Sequence, residues 1–330
     1  SPPRMPMTRP QPRIILQFIM NYYSLNKKSP KVNFREAAIT GQAPDKGLYF
    51  PESIPKLSSE FLKNLKSLSK EQIAFEVIKP YVGNTIKEAD LFALCKETIN
   101  FDFPLKKIND SIYSLELFHG PTLAFKDVGA RFMSRCLGYF SKGSDKKVTV
   151  LVATSGDTGS AVANGFLGVE GVDVVILYPS GKVSKIQELQ LTTLGKNITA
   201  LEVKGTFDDC QALVKQAFAD EDLNKKVSLT SANSINVARW LPQQFYYFYA
   251  LQQWQHEIPP VISVPSGNFG NICAGLLAYA SGAPIKHFVA ACNANDIYSN
   301  YVLNNIVQPK TAVPTISNAM DVGNPSNFVR

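Results

Sequence analysis

The chain has 330 residues, 45 % hydrophobic and 18 % charged, which is enough apolar material for a buried core and excludes a disordered polymer. Its formal charge is +7, from 34 basic and 27 acidic side chains. Residues 1–35 hold seven of the basic groups and no acid, so residues 36–330 carry 27 of each sign; the body is neutral, and the excess reads as a tail rather than a binding face.

Residues 1–19 are rich in Pro and Arg and read as a leader outside the fold, with Met20 as the natural start of organised sequence. Residues 20–115 read as an N-terminal α-rich domain. The turn Ala43-Pro44-Asp45-Lys46-Gly47 precedes a short strand, Leu48-Tyr49-Phe50. Ser58 to Leu68 opens on a serine pair and sets Phe61, Leu62, Leu65 and Leu68 at helical spacing. Glu71 to Val82 and Ile86 to Ile99 repeat that pattern on either side of Gly83-Asn84. Cys95, Cys136, Cys210, Cys273 and Cys292 are widely spaced, with no CxxC pair. They read as reduced thiols and a cytoplasmic location. No run approaches the roughly 18 apolar residues of a membrane helix.

From about residue 147 short apolar runs alternate with helical patterns. Strands are predicted at Val148–Ala153, Val172–Tyr178, Ile198–Val203, Val227–Leu229, Val261–Val264 and Phe288–Ala291. Helices fall near 159–169, 184–194, 207–219, 236–255 and 271–281. Unbroken β-branched runs joined by helices predict βαβ units, so residues 116–330 form an α/β region with a mainly parallel, doubly wound sheet. Such sheets bind ligands at the carboxyl ends of their strands.

Two strands end in similar loops. Ala153-Thr154-Ser155-Gly156-Asp157-Thr158-Gly159 leads into one helix, and Val264-Pro265-Ser266-Gly267-Asn268-Phe269-Gly270-Asn271 into another. Glycines and free N–H groups at a helix N-terminus receive anions, although a tight strand-to-helix turn would look the same. Read as a pair in one sheet, the loops point to a two-anion site. The ligand is not a dinucleotide: neither loop is GxGxxG, and the strand after the first ends in Tyr178-Pro179 rather than in an acid. There is no P-loop, no GxSxG elbow, and no metal spacing among His119, His256 and His287.

Ahead of the sheet lies Leu117-Phe118-His119-Gly120-Pro121-Thr122-Leu123-Ala124-Phe125-Lys126-Asp127. Pro121 and Thr122 suit a helix start, which puts Lys126 in the first turns, where a cation is electrostatically misplaced. Either Lys126 snorkels to solvent beside Asp127, or it is an amine of depressed pKa that forms a Schiff base.

The strings ELFHGPTLAFKD, ATSGDTGSA, YPSGKVSKIQELQ, TSANSINVAR and SVPSGNFGN, in that order, resemble the threonine synthase family. More broadly they resemble pyridoxal-phosphate enzymes of the tryptophan-synthase-β type. NFREAAITGQAPDKGLYFPE and SNAMDVGNPSN carry the resemblance from about residue 22 to the end of the chain. It implies a tryptophan-synthase-β-like fold of two sub-domains and a pyridoxal 5'-phosphate cofactor joined to Lys126. Gly267, Asn268, Phe269 and Gly270 are implied to cradle the cofactor phosphate through backbone N–H groups, with Asn271 opening the helix. Ser155 and Thr158 are implied to hold the substrate carboxylate, with Asp157 left to loop geometry.

The implied reaction is O-phosphohomoserine plus water to threonine plus phosphate, on a small molecule rather than a nucleic acid or membrane. The substrate phosphate requires a third anion site, for which Ser184, Lys185, Asn233, Ser234, Asn236 and Arg239 are candidates. Arg239 suits bidentate recognition, while Arg239 and Lys185 would equally serve as solvated helix charges. His119 reads as a hydrogen-bonded scaffold residue. Tyr246, Tyr247, Phe248 and Tyr249 read as packing on one long helix with Arg239. Members of this family continue beyond the point matching Arg330, in a segment expected to complete the large domain and supply a Ser or Thr facing the pyridine nitrogen. Its lack leaves open a catalytically impaired cofactor-binding protein, beside the rival of another β-eliminase or dehydratase of the same fold.

Overall fold

A computed structural model describes residues 20–143 and 147–330; the proline- and arginine-rich leader lies outside the described residues. The chain opens on a small antiparallel sheet in which β1 (Asn21–Ser24) pairs with β2 (Val32–Asn33) and β3 (Tyr49–Pro51). Between them α1 (Phe34–Thr40) starts at a capping box of Asn33 and Glu36. The Ser58 side chain caps α2 (Ser59–Asn64), and a 3-10 turn, Leu65–Ser67, replaces the helix's expected last turn. Ser69 and Gln72 box the start of α3 (Lys70–Val82), and α4 (Glu88–Thr98) follows. A hairpin of β4 (Leu105–Lys107) and β5 (Tyr113–Leu115) went unpredicted because three-residue, half-exposed strands carry no legible alternation.

The next helix starts later than its sequence indicates. Asp127 accepts the Thr122 N–H at 2.9 Å and the Thr122 hydroxyl at 2.5 Å, and its own N–H donates to the Ala124 carbonyl. Residues 120–125 therefore close into a turn, and α5 (Lys126–Ser141) begins at the lysine itself.

The main sheet follows as β6 (Val148–Ala153), α6 (Asp157–Phe166), β7 (Val172–Pro179), α7 (Lys185–Thr192), β8 (Ile198–Val203), α8 (Phe207–Ala219), α9 (Glu221–Lys226) and β9 (Ser228–Ser231). All its pairings are parallel, in the order β8-β7-β6-β9. The chain steps outward from β6 to β8, then returns to the other side of β6. The loops after β6 and β9 thus meet where strand order reverses, the place at which open parallel sheets take ligands. Val150 and Val152 face the large core and Leu151 and Ala153 a smaller one with Cys210 and Val214, so the sheet is covered on both faces.

The remaining elements are α10 (Val237–Trp240), α11 (Gln244–Gln253), β10 (Val261–Pro265), α12 (Gly270–Ala280), β11 (His287–Ala291) and α13 (Ile297–Asn304). Two expectations are corrected here. The single helix over 236–255 is broken by a 3-10 turn, Leu241–Gln243, because Pro242 has no N–H to donate. The two anion loops do not share a sheet either: β10 pairs only with β11, apart from the four-stranded sheet. What joins them is the large core, which runs unbroken from Met20 to Ile285 through Phe132, Phe166, Trp240 and Phe248.

Candidate active site

Lys126 does not point into solvent beside Asp127. Its Nζ lies 2.7 Å from Asp157 Oδ2, with the two side chains 18 % and 17 % exposed. The other oxygen of Asp157 accepts the N–H of Thr158 at 2.8 Å in the first turn of α6, where an acid is favoured by the helix dipole. The lysine amine is therefore parked against the loop after β6, and its sequence neighbour Asp127 faces back into the turn that presents it.

That loop is closed upon itself. Thr154 Oγ1 accepts the N–H groups of both Gly156 and Gly159 at 2.9 Å. Gly156, at φ +143°, also lies against Gln187 of α7: a β-carbon there would fall 2.2 Å from Gln187 Oε1. Ser155 is exposed and Thr158 half-buried, and neither hydroxyl has a hydrogen-bond partner among the described residues.

The loop after β10 is open. None of the N–H groups of residues 267–271 has a partner among the described residues, and Ser266 Oγ is buried without one. Gly267 at φ +102° and Phe269 at φ +61° turn the backbone into α12, so those N–H groups gather at a helix N-terminus. The Asn268 side chain is engaged elsewhere: it donates to Ser234 Oγ at 2.5 Å and accepts the Ser326 N–H at 2.5 Å. Asn271 Nδ2 donates to the Pro265 carbonyl at 2.8 Å. Such a cradle of free N–H groups fits a phosphate group.

One helix ties the lysine to the cradle. The Tyr246 hydroxyl of α11 donates to the carbonyl of Phe125, the residue before Lys126, and the Tyr247 hydroxyl donates to the Asn271 carbonyl at 2.6 Å. Burial pushes both phenols above their ordinary value, so they stay protonated donors. Sequence reasoning took both for packing; consecutive aromatics on a helix carry no signal of where their hydroxyls end. The partnership of Asp157 and the placement of Gln187 were missed for the same reason.

The candidates for the third anion site divide. Asn236 is buried and spent: Nδ2 donates to the Ala38 and Ser231 carbonyls, and Oδ1 accepts the Ala238 N–H. It caps α10 and has no donor left for an anion. Arg239 is 2 % exposed, donates to the Ala232 carbonyl, and leaves Nε without a partner. Burial lowers its pKa to about 10, and the nearby charge of Asp157 opposes that, so it remains a cation beneath the site rather than a presented phosphate fork. α5 crosses so close above it that a β-carbon on Gly129 would lie 2.3 Å from the Arg239 carbonyl. Lys185 is 77 % exposed and pairs with Glu188, while Ser184 caps α7, whose Gln187 touches the β6 loop. Asn233 sits after β9 with its N–H on Ser231 Oγ. Ser234 is taken up by Asn268 and Asn327. His119 bonds Glu116 at 2.7 Å, as a scaffold residue would.

The family model "Threonine synthase N terminus" matches residues 21–99, and "Pyridoxal-phosphate dependent enzyme" matches residues 101–330. Threonine synthases of Haemophilus influenzae and Escherichia coli are 47 % and 44 % identical over 313 residues, which is 94 % of this chain and 73 % of each relative. The crystal structure of the Escherichia coli enzyme aligns at a TM-score of 0.87, covering 94 % of this chain and 72 % of that one. A pyridoxal-phosphate-bound threonine synthase from Brucella melitensis aligns at 0.89 with 37 % identity, covering 94 % of this chain and 68 % of that one. The chain belongs to the threonine synthase family of pyridoxal-phosphate-dependent enzymes.

Proposed function

We propose that this chain converts O-phosphohomoserine and water to threonine and phosphate, with Lys126 as its working amine. The observation that carries the proposal is the joint anchoring by Tyr246 and Tyr247, which sets the amine-bearing turn and an open N–H cradle on one rigid helix. When bound, pyridoxal phosphate supplies an aldehyde that takes up an amine and a ring that stores the electron pair left by a broken C–H bond.

The chain's own residues do the rest. The N–H groups of residues 267–271 hold the cofactor phosphate, so the group enters in one orientation. Ser155 and Thr158 offer free hydroxyls, with the α6 dipole behind them, to the substrate carboxylate. Lys126 would hold the cofactor aldehyde, and its free amine would be the base that moves protons at Cα and Cβ. Phosphate would leave Cγ with the electron pair of its C–O bond, and the elements of water would be added, OH at Cβ and the balancing proton at Cγ. Ser184, Lys185 and Asn233 stand as the groups that meet the substrate phosphate. Among the described residues no helix is long and apolar enough to cross a membrane.

The test is the visible spectrum of the full chain with pyridoxal phosphate, before and after O-phosphohomoserine, together with phosphate release. Lys126→Ala should abolish borohydride-trappable cofactor; an adduct trapped as before would overturn the assignment. Ammonia release from threonine in place of phosphate release would show a dehydratase instead.

A further inference from the structure

The cradle is pressed from outside by a segment that the proposed reaction does not use. A β-carbon on Gly267 would lie 2.7 Å from Met320 Sδ, so Met320 rests directly on the glycine whose φ of +102° opens the loop. Met320 belongs to a short 3-10 turn, Asn318–Met320, and the next residue is the centre of a polar knot. Asp321 Oδ2 accepts the Thr315 N–H at 2.8 Å. Asp321 Oδ1 lies 2.6 Å from Thr315 Oγ1, 2.8 Å from Asn293 Nδ2 and 3.2 Å from Asn295 Nδ2. Asn295 in turn exchanges hydrogen bonds with both the N–H and the carbonyl of Val313. Asn293 and Asn295 follow β11, the neighbour of the strand that feeds the cradle. Further along, Gly323 is tied to Lys310, and the Ser326 and Asn327 N–H groups both donate to Asn268 in the cradle itself.

The donors around Asp321 are all neutral, and no cation pairs with it among the described residues. A carboxylate so surrounded acts as a pin with several acceptor sites rather than as a counter-ion. We infer that residues 313–322 are a clasp that sets the phosphate cradle, with Asp321 as its positioning residue and Met320 as the contact that transmits it. The clasp keeps Gly267 in its left-handed conformation and the N–H groups of residues 267–270 convergent before any ligand arrives, which is preorganisation of an anion site.

This inference rests on residues 267–271 being the phosphate cradle, and the test separates the two. Dissociation constants of pyridoxal phosphate and of pyridoxal, which lacks the phosphate, are measured by absorbance of the bound aldehyde on the full chain. The chain as it stands should prefer the phosphorylated form; equal affinity for both would overturn the cradle and the clasp together. Asp321→Ala should weaken pyridoxal phosphate by at least about tenfold and pyridoxal by less than about twofold. Asp321→Asn, which keeps one acceptor oxygen, should fall between. Met320→Ala should show the same selective loss, smaller, and it decides the matter should Asp321→Ala fail to fold. Equal weakening of both ligands, or an undiminished preference for the phosphate in Met320→Ala, would overturn the clasp and leave the cradle standing.

Discussion

In the loop after β6, Thr154 Oγ1 takes the N–H groups of Gly156 and Gly159, and Asp157 takes that of Thr158. In the loop after β10, the N–H groups of residues 267–271 have no partner among the described residues. The two strings, Thr-Ser-Gly-Asp-Thr-Gly and Pro-Ser-Gly-Asn-Phe-Gly, differ at the positions that matter most for this contrast. Where one has Thr154, the other has Pro265, whose ring cannot accept a hydrogen bond. Where one has Asp157, the other has the neutral Asn268. The first loop is thus self-capped and carries an acid that holds the Lys126 amine. The second leaves its backbone free and carries no charge to repel a phosphate. Two loops of one appearance differ because a hydroxyl two residues before the first glycine consumes the backbone donors in one, and a proline at the same position leaves them free in the other.

The largest test of that contrast is Asn268→Asp, which gives the open loop the charge of the closed one. Repulsion of about 2–4 kcal/mol should weaken pyridoxal phosphate by about 30- to 1,000-fold, measured by spectroscopic titration. An unchanged affinity would mean the phosphate sits elsewhere. Thr154→Val removes the self-cap and leaves two buried N–H groups unpaired. It should cost about 2–4 kcal/mol and lower the melting temperature by several degrees, while sparing cofactor affinity. Lost cofactor affinity with intact stability would break the comparison.

Asp157→Asn is milder, because the Lys126 pair is partly exposed. It should cost the cofactor-free chain about 1 kcal/mol in melting experiments. A loss above about 3 kcal/mol would show that Asp157 also balances the buried Arg239. The smallest effect comes from an acid outside both loops. Burial raises the Asp45 pKa, but hydrogen bonds from Ser24, Gly47, Lys28 and Ser29 outweigh it and bring it down to about 2. Its unfolded value is near 4, so its contribution is complete above about pH 4 and is lost as pH falls toward 2. The melting-temperature difference between the parent chain and Asp45→Asn should be constant from pH 6 to 5 and shrink steadily as pH falls from 4 through 2. A difference independent of pH would show that the carboxylate charge is not what those donors recognise.

Much of the fold was legible because its signals are local. The strands Val148–Ala153 and Ile198–Val203 and the helix Phe207–Ala219 stand where apolar runs and caps predict them. Helix starts were less legible where distant or neighbouring side chains intervene. The Thr122–Asp127 bonds delay α5 by several residues, and Pro242 breaks what periodicity reads as one helix. At the site, Lys126 and the glycine-rich loops stand out by residue type, while the pairing of the amine with Asp157 does not. The burial of Arg239 and Asn236 was not legible, since a cation or amide on a helix has the same letters whether it faces solvent or lies beneath the core.

The sequence by itself determined the alternation of strands and helices, the loop chemistry after each strand, the neutral body and the place of Lys126 ahead of the sheet. These follow from propensity, period and residue type, which act over a few residues. Tertiary structure alone decided that Lys126 rests on Asp157, that Tyr246 and Tyr247 bond the Phe125 and Asn271 carbonyls, and that Met320 lies against Gly267. Each of those depends on side chains dozens of residues apart meeting through one core, and packing distance leaves no mark on spacing along the chain.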